Sequence, residues 1–137
     1  MNLTEEFPRS PREKLADLVH LPRMVDKARA TQKNTLGEYI YPCPLDQIML
    51  DFLGVDSDTF KEKACSDTEE TLSAWVVSQC QNRSLGDKDA VNNKILKSEP
   101  DSPEKWKTFH EIRKRFDPSR TDLTTWVDLI DLEEGRL

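Results

Sequence analysis

Long apolar runs are missing from this chain of 137 residues. No stretch approaches the roughly 18 apolar residues that a helical membrane span needs, which excludes that class. The opening segment MNLTEEFPRS is acidic and has no apolar h-region, so no signal peptide is expected there. Cysteine is scarce: Cys43, Cys65 and Cys80 are odd in number, widely spaced and free of any C-x-x-C. That usage excludes zinc-finger spacing and a disulfide framework, and it points to a reduced, cytoplasmic protein. The four glycines form neither a dinucleotide-binding nor a phosphate-loop pattern, so no cofactor is expected.

Net positive charge is lacking too. At −6 the chain is ill suited to general nucleic-acid binding, which rests on clustered Lys and Arg. The charge is uneven, with seven basic and three acidic residues in 9–33 against two basic and eight acidic in 46–70. Such a dipolar surface suits orientation of a partner or self-association. Charged residues make up 34%, yet apolar residues recur at helical spacing and three tryptophans lie among them, so the chain reads as folded.

Proline, glycine and capping residues divide that apolar pattern into helices. Ser10-Pro11-Arg12-Glu13 reads as a capping box opening a helix to about Val19. Pro22 restarts the chain with Leu21, Met24, Val25 and Ala28 on one face. Pro44 opens a helix ending at Gly54, and a short one follows Asp58. A second capping box at Asp67–Glu70 leads into Leu72, Trp75, Val76 and Cys80. Gly86 separates this from a helix near 88–97. Ser102-Pro103 starts the next, with Trp106, Phe109, Ile112 and Phe116 inward, and a last helix carries Leu123, Trp126, Val127 and Ile130 before Gly135. The expectation is an all-α single domain over 1–137, with seven or eight short helices, an extended connector near 37–43 and a flexible tail at 1–9.

Three segments carry candidate chemistry. In Leu21–Ala30 the inward stripe leaves Arg23, Asp26 and Lys27 together on the opposite face. They read either as an anion clamp with Asp26 orienting an arginine, Arg23 or Arg29, or as a solvated face of weak i,i+3 pairs. In GEYIYPCPLD, Cys43 falls at the N-cap of the Pro44 helix, where a thiolate gains from the dipole. Asp46, at the third helical position, opposes that thiolate, and neither His20 nor His110 is near in sequence to act as base. Cys43 is thus either a reactive thiol or a small residue in a pinned turn, with Tyr39 and Tyr41 supplying a wall. In TTWVDLIDLEEGRL, Asp128 and Asp131 share a face but make only two ligands, so no metal is expected. Leu129 and Leu132 lie off the core stripe and either pack a second element or form a partner contact, which allows a homodimer. Arg113, Lys114 and Arg115 suit the last turn of their helix, and an RNA contact beside His110 has little support.

SPREKLADLVHLPRMVDKARA, LGEYIYPCPLD and TTWVDLIDLEEGRL together resemble the bacterial domain-of-unknown-function family 5069 over nearly the whole chain. The resemblance implies a glycine pair where this chain has Ala16-Asp17, and it carries over no activity, cofactor or partner. The residues themselves lead to a small binding or protein-interaction domain. Its site is expected where Arg23, Asp26 and Lys27 meet Tyr39, Tyr41 and Asp46, for a small anion or an acidic protein segment. The alternative is an enzyme using Cys43 as a nucleophilic or redox thiol.

Overall fold

The computed structural model describes residues 1–137, and its regular structure is seven helices and one small two-strand sheet. In chain order a two-strand hairpin, β1 (Lys14–Leu15) and β2 (Leu18–Val19), precedes α1 (Leu21–Gln32), α2 (Pro44–Leu53), α3 (Ser57–Ser66), α4 (Glu69–Gln79), α5 (Leu85–Leu96), α6 (Pro103–Phe116) and α7 (Trp126–Glu133). No helix is long and apolar enough to cross a membrane.

The hairpin replaces the helix expected over 10–19. One of the two capping-box bonds forms, the Ser10 amide donating to the Glu13 side chain at 3.1 Å, while the Ser10 hydroxyl accepts from the Arg12 amide instead of the Glu13 amide. These bonds close one turn and go no further. Ala16 and Asp17 take φ of 52° and 64°, the paired left-handed conformation of a type I′ turn, and Leu15 pairs with Leu18 across it. Neither residue adopts that conformation freely, so tertiary contacts impose it. Asn92 on α5 supplies them, accepting from the Val19 amide and donating to the Asp17 carbonyl, both at 2.9 Å. The implied glycine pair would have carried the same turn without that strain.

The helix starts are chemically explicit. Asp56, Thr68, Ser84, Ser102 and Thr125 each accept a backbone N–H with their side chain at the N-cap. Gly86 lies inside the first turn of α5, because Ser84 caps that helix two residues earlier than the glycine suggested.

α1 runs through the middle of the fold, and nine of its twelve residues are buried, so it has no solvated face. Leu21, Met24, Val25 and Ala28 join Leu18, Met49, Leu50, Phe60, Leu72, Val76 and Ile95 in the main core. A smaller core of Phe109, Leu123, Leu129 and Leu132 sits between α6 and α7, edged by Trp106 and Trp126. Leu129 and Leu132 are therefore packing residues, 2% and 5% exposed, and they offer no surface to a partner. Phe116, expected inward, is 47% exposed.

Residues 1–9, expected as a flexible tail, lie along the domain. Leu3 is buried and its amide donates to the Thr35 carbonyl at 2.9 Å. Gly37 (φ 64°) lets the chain pass there, since a Cβ at this position would sit 3.0 Å from the Leu3 carbonyl oxygen.

Candidate functional site

The site residues expected on an exposed helix face are inside the protein. Arg23, Asp26 and Lys27 are 4%, 6% and 3% exposed. A buried charge survives only when paired, and each of these is. Arg23 donates to both oxygens of Glu134 at 2.8 and 2.7 Å and lies over the Tyr39 ring, 5.4 Å from its centroid. Asp26 is held by Arg9 rather than by Arg23 or Arg29, accepting from its amide at 2.9 Å and from its guanidinium at 3.0 and 3.1 Å. Arg29 donates instead to the carbonyls of Ala64 and Asp67. Lys27 donates to Asp46 at 2.7 Å.

Asp46 is the centre of a separate buried group with Lys27. Pro44 starts α2, which places Cys43 at the N-cap and Asp46 at the third helical position, as the spacing predicts. One Asp46 oxygen accepts from His20 Nε2 at 2.6 Å; the other accepts from Lys27 and from the Cys43 amide. Burial alone would raise the Asp46 carboxyl, but the hydrogen bond from His20 and the charge of Lys27 outweigh it and hold the group well below its ordinary range. Burial lowers His20, so the imidazole is neutral with its proton on Nε2. Its Nδ1 is buried without a partner.

His20 was invisible as a site residue because it lies 26 positions from Asp46 in sequence. The hairpin delivers it. His20 caps α1 in a left-handed conformation (φ 70°), makes no capping bond, and extends toward α2 instead. Glu134 and Arg9 were missed for the same reason of distance in the chain.

Cys43 sits beside this group, its sulfur accepting from the Asp46 amide at 3.5 Å. Burial pushes the thiol up and the Asp46 charge pushes it further, with Lys27 opposing only in part. A thiol held protonated in this way is a poor nucleophile at neutral pH. Donor atoms of His20, Cys43 and Asp46 lie within 4.8 Å of one another. The Lys27 ammonium is nevertheless the resident cation on Asp46, and the same carboxylate holds His20, so the group presents no open coordination position.

Asp128 and Asp131 also serve the fold. Arg12 pairs with both, and Asp131 further accepts from Ser10 at 2.9 Å and from Arg136 at 3.1 Å. They are a clasp between residues 10–12 and α7.

A family model described as Domain of unknown function (DUF5069) matches residues 5–136. The chain belongs to the DUF5069 family. No curated protein matches it.

Two of the concave surfaces of this DUF5069 domain border the connector and α7. The larger, about 800 Å³, lies between the N-terminal segment, the 37–39 turn, the end of α6 and α7. Arg23, Tyr39 and Glu134 form its floor, and Tyr39 donates its hydroxyl to Glu134 at 2.9 Å. Phe7 and Phe116, 54% and 47% exposed, are two of its walls. Glu5, Glu6, Glu38 and Glu133 complete it, and none of these four has a cation within ion-pairing distance, Arg23 being taken up by Glu134. Burial, and to a lesser degree the neighbouring Glu134, raise the Glu133 carboxyl, while Arg23 and Arg115 act in the opposite direction.

The smaller pocket, about 400 Å³, has Cys43, Leu45, Ile48, Trp126 and Ile130 among its walls and Lys105 at its edge. The sequence-predicted residues are thus divided. Arg23 and Tyr39 belong to the larger cleft, Cys43 to the smaller, Lys27 and Asp46 to the buried group with His20, and Asp26 to its pair with Arg9. Tyr41 donates its hydroxyl to the Ser57 carbonyl at 2.7 Å and braces the connector against α3.

Proposed function

We propose that this domain is a non-enzymatic binding module whose larger cleft receives a basic segment of a partner protein. The observation that carries it is the lining: four glutamates without cations beside two exposed phenylalanine rings in one concavity. Carboxylates attract a cationic side chain, and aromatic faces hold it or its aliphatic stem. An anionic ligand at this place is disfavoured, because Arg23 and Lys27 are buried and each already carries a carboxylate. The three free cysteines accord with work in the reducing cytoplasm.

Titration of the full chain against a fluorescent lysine- and arginine-containing peptide tests this reading. Saturable binding that weakens with added salt is expected. The Glu5→Lys/Glu38→Lys variant, altered only at exposed positions, should lose about tenfold or more in affinity. Affinity unchanged in that variant would sink the proposal.

A further inference from the structure

The floor of the cleft shows how this protein holds a guanidinium. Arg23 lies over the face of Tyr39 and meets Glu134 through two parallel N–H donors, while Tyr39 donates to the same carboxylate. A planar cation is thereby fixed on an aromatic ring and forked onto a carboxylate. The same two chemistries are repeated above that floor and left without a partner. Phe7 and Phe116 expose their rings on the cleft, and Glu38 and Glu133 line it without a paired cation. Arg115, next to Phe116, is near enough to lower Glu133 slightly but makes no ion pair with it.

Resting on the basic-segment reading, we infer that the cleft selects arginine over lysine in its partner. A guanidinium stacks on a ring and bonds a carboxylate through two nitrogens at once, and an ammonium does neither. The partner's arginine would lie against Phe116 or Phe7 and donate to Glu133 or Glu38, repeating the Arg23–Tyr39–Glu134 arrangement one layer outward.

Oligo-arginine and oligo-lysine of equal length, titrated against the full chain in the same buffer, separate the two ideas. Arginine is expected to bind about tenfold tighter at physiological salt, where screening leaves stacking and bidentate bonding as the main difference. The Phe7→Ala/Phe116→Ala variant should still bind both peptides but with a clearly smaller preference, because stacking is lost and only bidentate bonding to Glu38 or Glu133 remains. Equal affinity for the unaltered protein overturns the arginine preference and leaves the basic-segment reading standing. A preference left undiminished in the double-alanine variant also overturns it, since the selection would then arise away from the two rings. No saturable binding of either peptide overturns both.

Discussion

The Lys27 ammonium and the Asp46 carboxylate, nineteen residues apart in sequence, meet at 2.7 Å with their side chains 4% and 0% exposed. Two charges removed from water to this degree depend on each other. Their pairing ties α1 to α2, and through His20 it also ties the hairpin to both.

Removing one partner strands the other. Lys27→Met should destabilise the domain by about 3–5 kcal/mol, the usual cost of leaving a buried charge uncompensated. Lys27→Met/Asp46→Asn should cost less than Lys27→Met alone, because the amide is neutral and its single oxygen keeps one of the two bonds, from His20 or from the Cys43 amide. Urea unfolding of the three proteins checks the order. An exposed helix face would have tolerated the single change with almost no loss.

Stability should fall on acidification in two stages. His20 has a folded value below its ordinary one near 6.5, so the unfolded chain takes up a proton first and stability drops as the pH falls below about 6.5. Asp46 is also lowered, so its contribution is complete above the ordinary carboxylate range and is lost as the pH falls through and below it. Arg23 and Lys27 are the cations that face this group and add to the cost of charging His20. Thermal melts from pH 8 to 5 should show a declining Tm, and His20→Gln should flatten the upper stage. A Tm that rises toward pH 5 would contradict the assignment of a neutral His20.

Alkylation of Cys43 should be slow at neutral pH and accelerate only above its ordinary thiol value of 9. Peptide mapping after iodoacetamide treatment at several pH values reads that residue separately from Cys65 and Cys80. Rapid labelling near pH 6 would instead favour the thiol-enzyme reading.

The sequence held more of the fold than of the site. Pro22, Pro44 and Ser102-Pro103 marked helix starts because capping is local chemistry, readable within four residues. The same locality misled at Ser10–Glu13, where one capping bond forms and no helix follows, since Asn92 holds Asp17 and Val19 from far along the chain. Cys43 and Asp46 were legible as a capping pair for the local reason. Periodicity could not show that α1 is buried on all sides, because the carboxylates that neutralise Arg23 and Lys27 belong to α2 and to the residue just after α7. Glu134 and His20 carried no local signal at all, and both had to be brought in by tertiary packing.

The clasp at Asp131 has a consequence for synthesis on the ribosome. Residues 8–12 gain their fixed place from Arg136, which donates to the Pro8 carbonyl, and from Asp131, which binds Ser10 and Arg12. Those partners emerge from the exit tunnel more than a hundred residues later. A nascent chain can therefore assemble its central helices with Arg9 already on Asp26 while residues 10–12 still lack their α7 partners, and the domain is buckled shut only when α7 arrives.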